Sequence, residues 1–185
     1  FAAVTDHSEL LAETSICTDP DSPGFDSRTC ESYRSANVTA AGYGEFTNSV
    51  GFYPPMRVSL CRIMPALCAG ELGAAWSEIQ DAAEQAYDRT SSCSFTSFVG
   101  YEWTGSFGGV NVHRNIIFRN RSVLRIPMSY VDMPDAHEML AALDEVCNAD
   151  DNPCGVLSIP HNGNLGAGDM FRTELASGVP YTEES

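Results

Sequence analysis

The most regular pattern along the chain is a helical repeat of apolar residues near its middle. Between residues 74 and 88, Trp76, Ile79, Ala83 and Tyr87 recur at intervals of three or four positions. Acidic and amide side chains occupy other positions of the same segment, so one face of a helix would be apolar and the other polar. The pattern therefore predicts an amphipathic helix over 74–88.

Two further helices are expected from weaker signals. Asp132 and Pro134 are residues that often begin a helix, and apolar residues follow them at helical spacing. This apolar stripe consists of Met139, Leu140, Leu143 and Val146. Residues 9–13 are predicted to form a shorter helix near the start of the chain.

Four segments are predicted to be strands because they are rich in apolar, β-branched and aromatic residues. They span 1–4, 95–103, 110–118 and 155–159. The first is expected to be buried, since all four of its residues are apolar. Glycines at 105, 108 and 109 predict a flexible turn between the two middle strands. The order strand, helix, strand, strand, helix, strand favours an α/β layered fold.

The chain of 185 residues is expected to form a single domain, 1–185, with one long insertion. Residues 17–70 are rich in glycine, proline, serine, asparagine and aspartate and show little periodicity. Such a segment is predicted to be irregular, and we interpret it as a lid or rim rather than a second domain.

Seven cysteines are many for a chain of this length, and six of them form closely spaced pairs. These pairs are Cys17 with Cys30, Cys61 with Cys68, and Cys147 with Cys154. No CxxC spacing typical of structural zinc is present, so disulfides are the better interpretation, and they imply a secreted or periplasmic protein. Cys93 has no partner in this pairing. Three alternatives are open for it: it is free, it replaces a partner in the Cys61–Cys68 pair, or it pairs with a cysteine of another chain.

The charge of the chain excludes some partners. Twenty-five acidic residues against ten basic ones give a net charge of −15, which would repel nucleic acid. No run of about 18 apolar residues is present, so no membrane span is predicted. A small-molecule or phosphoester substrate is the expected partner, and the sequence leaves the oligomeric state open.

Two of the four histidines, His7 and His161, end predicted strands, where ligands and metals collect in α/β folds. His113 lies within a predicted strand, and Glu102 lies near the end of its own strand. Three imidazoles and a carboxylate suit zinc, manganese or iron. A single histidine in such a place is more often a surface or hydrogen-bonded residue, so the prediction depends on their coming together.

Other polar residues near these histidines have two interpretations each. Asp6 either caps the following helix or orients the imidazole of His7 from behind. Arg114 and Asn115 suit binding of an anionic substrate, although Arg114 equally suits a structural ion pair. Asn162, at the start of the glycine-rich segment 162–168, is assigned to substrate binding with them, although a plain turn is the commoner structure for such a segment.

His137 lies in the predicted second helix beside an acidic residue, away from any strand end. We interpret it as a solvated helix residue outside the site.

Four short motifs occur in an order that resembles a known family. They are Phe-Ala-Ala-Val-Thr-Asp-His at 1–7, Phe-Val-Gly-Tyr-Glu-Trp at 98–103, His-Arg-Asn-Ile-Ile-Phe-Arg at 113–119 and Ile-Pro-His-Asn-Gly-Asn-Leu at 159–165. Together they resemble a bacterial group related to the PHP hydrolases, known as domain of unknown function 3604. The resemblance extends over essentially the whole chain.

The resemblance implies a part of a distorted β/α barrel, TIM-like in form, that binds two or three metal ions and hydrolyses phosphoesters. It places metal ligands at His7, Glu102, His113 and His161. A His-x-His motif is expected before Phe1 and an Asp-x-His motif after Ser185, so the chain is expected to be a fragment with an incomplete metal shell.

These observations leave two hypotheses of different class. The first is a metal-dependent hydrolase, inactive as these 185 residues alone but active in the full-length protein. The second is a noncatalytic extracellular binding or assembly protein that retains the barrel and uses its disulfide-linked surface.

Overall fold

The structure, a computed structural model, describes residues 1–35, 44–107, 109–147, 154–161 and 163–168. In chain order the strands are β1 (Ala2–Ala3), β2 (Ser97–Phe98), β3 (Gly100–Phe107), β4 (Val110–Phe118) and β5 (Val156–Pro160). The helices are α1 (Leu11–Thr18), α2 (Arg28–Arg34), α3 (Gly44–Gly51), α4 (Ser59–Ile63), α5 (Pro65–Ala86) and α6 (Ala136–Cys147). The α/β class expected from the sequence is confirmed.

The strands form two small sheets that meet near His7. β1 pairs in parallel with β2, whereas β3, β4 and β5 form an antiparallel sheet in that order. An isolated parallel bridge between His7 and Glu102 continues the pairing of β1 beyond its last residue. The first segment of the chain therefore runs alongside both β2 and the start of β3. Within the described ranges neither sheet closes on itself.

The main hydrophobic core covers one face of the antiparallel sheet. Tyr101 and Trp103 of β3 lie opposite Ile116 and Arg114 of β4, and the two aromatic residues and Ile116 are fully buried. Trp76 of α5 packs edge-on against Tyr101, with ring centroids 5.8 Å apart. Because side chains alternate along a strand, the residues between them point to the opposite face of the sheet.

The helix predicted over 74–88 begins nine residues earlier, because α5 starts at Pro65. Proline is favoured in the first turn of a helix, since its missing N–H has no partner there anyway. The first nine residues of α5 include three small residues, Ala66, Ala69 and Gly70, and a second glycine, Gly73, which weaken the helical period of apolar residues in the sequence. Cys68 and Leu72 nevertheless bury their side chains against the neighbouring helices.

The prediction of an irregular 17–70 segment is wrong for its described part. This region contains α2, α3, α4 and the first turns of α5. Its helices are only five to eight residues long before α5 begins, which is too short for a clear apolar period. A second small core of mainly aliphatic and half-cystine residues holds them together.

The three predicted disulfides are confirmed. Cys17–Cys30, Cys61–Cys68 and Cys147–Cys154 have Cα–Cα distances of 4.7, 5.6 and 4.6 Å. Cys93 is free and exposed. None of the described helices has the length and apolar character that crossing a membrane requires.

The first strand is not buried as its apolar sequence suggested. The side chains of Phe1 and Val4 are exposed, with residue accessibilities of 94% and 70%. β1 has β2 as its partner on one side, and one neighbouring strand covers little of a short strand. A run of apolar residues predicts a strand correctly here, but it does not by itself predict what covers it.

Candidate metal centre

The first histidine reaches the centre of the molecule through backbone pairing. The N–H of Glu102 donates to the carbonyl of Asp6 at 2.8 Å, and the N–H of Ser8 donates to the carbonyl of Glu102 at 2.9 Å. These two hydrogen bonds hold residues 6–8 parallel to the middle of β3. His7 therefore lies beside Glu102.

The register of β3 and β4 brings the second histidine to the same face. Glu102 lies opposite Asn115, and Thr104 lies opposite His113. Residues directly opposite each other in an antiparallel pair share a face. This polar face lies on the other side of the sheet from the aromatic core.

The third histidine follows the last residue of β5. Pro160 lies opposite Arg114, so the next residue, His161, comes beside His113. Their ring centroids are 5.8 Å apart. The same alternation places Arg114 on the core face opposite Trp103, away from the face that carries the histidines.

The three imidazoles converge on the carboxylate of Glu102. Its Oε1 lies 2.8 Å from Nδ1 of His113 and 3.7 Å from Nε2 of His7. Its Oε2 lies 3.2 Å from Nε2 of His161. One ligand atom each from His7, Glu102 and His113 lie within 4.8 Å of one another, the separation expected of groups that hold one metal ion.

The cluster is buried on one side and open on the other. The side chains of Glu102 and His113 are 8% and 7% exposed, that of His161 is 26% exposed and that of His7 is 60% exposed. Thr104, also buried, donates its hydroxyl to Oε1 of Glu102 at 2.7 Å. A ligand would reach the carboxylate from the side of His7.

The ionised carboxylate of Glu102 suits a cation. Burial is the largest single influence on Glu102 and raises its pKa, but the hydrogen bonds from Thr104 and His113 lead the influences that outweigh it, so the pKa is lowered. The pKa of His7 is raised, chiefly because its ring lies beside the carboxylate of Glu9. Glu102 is therefore ionised at neutral pH.

The ring of His113 is also held from its far side. Its Nε2 lies 3.0 Å from the backbone carbonyl oxygen of Asn164. Both neighbours of the ring are acceptors, the carbonyl of Asn164 at Nε2 and the carboxylate of Glu102 at Nδ1. A neutral imidazole has one N–H, so it can donate to only one of the two, and its other nitrogen then directs a lone pair at an acceptor.

The remaining predicted residues are placed as follows. Asn115 lies on the polar face, where its side-chain oxygen accepts a hydrogen bond from Thr5 at 3.1 Å. Asn162 falls outside the described residues. His137 lies on α6 and is exposed, as predicted for a solvated helix residue.

Sequence reasoning missed Glu9. We considered Asp6 as the residue that orients His7, but Asp6 is exposed, and the carboxylate oxygen 3.3 Å from Nδ1 of His7 is Oε2 of Glu9. Glu9 follows His7 by two residues and stands at the start of a predicted helix, where a glutamate needs no special explanation. The feature that distinguishes Glu9 is the burial of its side chain, which the sequence does not reveal.

The fold and the cluster define a mixed α/β protein with three histidines arranged around one buried carboxylate. The chain belongs to a family described as "Protein of unknown function (DUF3604)", whose model matches residues 1–185. Comparisons with curated proteins and with solved structures gave no match.

Proposed function

We propose that the cluster holds a divalent metal ion, zinc, manganese or iron, and that the full-length protein is a metal-dependent hydrolase of PHP type acting on a phosphoester. His7, Glu102, His113 and His161 are the proposed ligands. The observation that carries the proposal is the convergence of three imidazole nitrogens on one buried carboxylate.

The spacing of His7, Glu102 and His113 fits ligands of a common ion. Two ligands of a tetrahedral ion bound at about 2.0–2.1 Å lie about 3.3 Å apart. Oε1 of Glu102 lies 2.8 Å from His113 and 3.7 Å from His7. His161 lies 3.2 Å from the other oxygen, Oε2, outside this group of three ligand atoms. A cluster of three imidazoles and a carboxylate also combines the nitrogen and oxygen donors that these metals accept.

The two acceptors around the ring of His113 favour a cation at this place, because a neutral ring can donate to only one of them. Nδ1 of a neutral His113 that donates from Nε2 would direct its lone pair toward Oε1 of Glu102, 2.8 Å away. Two lone pairs at that distance repel each other unless a proton or a metal ion lies against both. A metal ion satisfies both atoms without requiring a charged imidazole.

The chain's own residues supply the surroundings that hydrolysis requires. A bound divalent ion would lower the pKa of water and polarise a phosphoryl oxygen. Thr104 orients the Glu102 carboxylate, and the sheet behind it excludes water from that side. The exposed ring of His7 leaves the opposite side open for substrate.

We further propose that these residues form part of a distorted β/α barrel, in a secreted or periplasmic protein. The parallel pairing of β1 with β2 and its continuation to Glu102 support the first point. Three disulfides support the second, because they persist in oxidising compartments.

Metal binding is tested by titrating the metal-free protein with Zn²⁺ and Mn²⁺ in a calorimeter. We expect one ion per chain for the wild type and at least a hundredfold weaker binding for Glu102→Gln, in line with loss of a charged ligand (about 2.7 kcal/mol or more). His137→Ala is the matched control and should bind as the wild type does. Equal binding by wild type and Glu102→Gln would refute the metal centre.

Hydrolysis is tested on the full-length protein with a generic phosphodiester and added Mn²⁺. Turnover that disappears in His161→Ala and after chelation is expected. The 185 residues alone should bind metal without turnover, because three histidines and one glutamate cannot hold two ions securely. Turnover that persists after the metal is stripped would refute the mechanism.

An exposed apolar surface favours a noncatalytic binding protein as the second candidate. In the disulfide-linked region, the large apolar side chains of Phe52, Tyr53, Met56 and Ile63 are all exposed, and exposed apolar surface can mark an interaction site. A full-length protein that binds metal but hydrolyses no phosphodiester, and that loses a partner on Phe52→Ser, would favour this candidate.

A further inference from the structure

The carboxylate of Glu9 is buried, with the residue only 4% exposed, and it is held in a fixed orientation. Its Oε1 accepts the backbone N–H of Thr104 at 2.8 Å and, more weakly, that of Tyr130 at 3.5 Å. The hydroxyl of Ser8 lies 3.4 Å from the same oxygen. Oε1 is therefore committed to backbone and hydroxyl donors on three segments.

The other oxygen of Glu9 is directed at His7. Oε2 lies 3.3 Å from Nδ1 of the His7 ring, while Nε2 of the same ring faces Glu102. A carboxylate only accepts hydrogen bonds. Both carboxylates are acceptors, but the 3.7 Å from Nε2 to Glu102 is too long for a hydrogen bond and the 3.3 Å from Nδ1 to Glu9 is not. A neutral His7 that makes this hydrogen bond carries its hydrogen on Nδ1 and its lone pair on Nε2.

We propose that Glu9 is a positioning residue that selects the tautomer of His7 and so presents the Nε2 lone pair to the space beside Glu102. The use of this lone pair for metal binding rests on the function proposed above, whereas the tautomer itself does not. Metal-bound histidines commonly donate their other ring N–H to a carboxylate or a backbone carbonyl.

Glu9 and the carbonyl of Asn164 contact opposite ring nitrogens, Nδ1 of His7 and Nε2 of His113. In His113 the acceptor on the side away from Glu102 is the carbonyl of Asn164 at Nε2, and Nδ1 faces Glu102. In His7 the acceptor on that side is Glu9 at Nδ1, and Nε2 faces Glu102. An acceptor therefore lies at the far nitrogen of each ring, and a ring that donates to it presents a lone pair on the side of Glu102.

Glu9→Gln reverses the hydrogen-bonding role without changing the size of the side chain. The amide oxygen should replace Oε1, because the N–H groups of Thr104 and Tyr130 require an acceptor there. The NH₂ group then faces Nδ1 of His7 and can only donate. His7 must accept at Nδ1, and its hydrogen moves to Nε2.

The tautomer is measured by long-range ¹H–¹⁵N correlation spectra of the metal-free protein, at a pH where the imidazoles are neutral. The His7 signals are assigned by their loss in His7→Gln. We expect hydrogen on Nδ1 in the wild type and on Nε2 in Glu9→Gln. Glu9→Asp retains an acceptor and should keep the wild-type tautomer, which provides a second variant if Glu9→Gln does not fold.

Zn²⁺ titration provides the second readout. Glu9→Gln should bind Zn²⁺ about 10- to 100-fold more weakly than the wild type. Asp6→Asn is the matched control, because it also removes one negative charge close to His7 but from an exposed side chain. It should keep the His7 tautomer and lose less affinity, since solvent screens an exposed charge.

The outcomes separate this inference from the proposed function. Hydrogen on Nε2 of His7 in the wild type, or an unchanged tautomer in Glu9→Gln, would overturn the role of Glu9 even if Zn²⁺ binds. If the tautomers behave as expected but Zn²⁺ does not bind the wild type, Glu9 selects the tautomer as proposed and the metal centre is refuted.

Discussion

The two hydrophobic cores of this protein are built in different ways. The core behind the antiparallel sheet is dominated by large aromatic side chains that contact one another edge-on, as Trp76 does with Tyr101 and Trp103 with Tyr130. The core of the helical region contains Ala12, Ile16, Phe46, Val58, Leu60 and Leu72 with two disulfides. The sheet core also contains the Cys147–Cys154 disulfide, but its largest side chains are all aromatic rings. The helical core has Phe46 as its one buried ring among the described residues and two disulfides between neighbouring helices.

This difference explains where the candidate site lies. A sheet with a well-filled core on one face can carry polar residues on the other, because its stability does not depend on that second face. Short helices bury little apolar area each, so cross-links that restrict the unfolded chain contribute relatively more. The polar cluster accordingly occupies the sheet rather than the helical region.

The largest expected effect comes from removing a ring from the sheet core. Trp103→Ala should lower the free energy of unfolding by about 3–5 kcal/mol, because it leaves a cavity directly behind the polar face. Leu72→Ala in the helical core is the comparison and should cost nearer 2 kcal/mol. Urea denaturation measures both, and a larger loss for Leu72→Ala would contradict the proposed division of stability.

The second effect concerns the cross-links of the helical region. Replacing Cys17 and Cys30 together by serine should lower the free energy of unfolding by about 3 kcal/mol, and the same change at Cys61 and Cys68 by about 2.4 kcal/mol, because the second loop is shorter. The loops span 13 and 7 residues. Unchanged urea midpoints for both variants would show that the helices do not need their disulfides.

A smaller effect tests the polar face directly. Thr104→Val removes the hydroxyl that donates to Glu102 while keeping the shape of the side chain. A hydrogen bond to a charged group contributes about 1.5 kcal/mol or more, so Zn²⁺ affinity should fall about tenfold. Thr104→Ser keeps the hydroxyl and serves as the control. Similar calorimetric affinities for both variants would show that Thr104 does not organise the carboxylate.

The smallest effect is a pH dependence within the helical region. Burial raises the pKa of Glu45, but hydrogen bonds from Ser59 and Thr29 more than offset it, so the pKa is lowered. A lowered folded-state pKa stabilises the protein above the unfolded value of about 4.3, and this contribution is lost as the pH falls through the folded-state pKa.

Glu45→Gln should therefore have a lower free energy of unfolding than the wild type at pH 7. The free energies of unfolding of the two proteins should become equal as the pH falls below about 4. Thermal unfolding followed across this range measures the difference. A gap between the two proteins that stays constant down to the lowest pH would show that Glu45 does not contribute through its charge.

The sequence by itself determined most of the strands, the longer helices and the covalent links. β4 has the predicted bounds, 110–118, because β-branched and aromatic residues are concentrated there and glycines precede it. The three disulfides were predictable because each closes a short loop. His7 and His161 could be selected because they follow predicted strands, at places where ligands collect, whereas His113 was selected from within its strand.

Only the tertiary structure decided which atoms meet. The alternation of β4 places His113 on the polar face and Arg114 on the core face, and the burial of Glu9 rather than Asp6 places Glu9 beside His7. These outcomes depend on backbone hydrogen bonds between segments far apart in the chain, such as that from Ser8 to Glu102. Local patterns specify periodicity, but register and the choice of partner depend on long-range pairing, which periodicity does not encode.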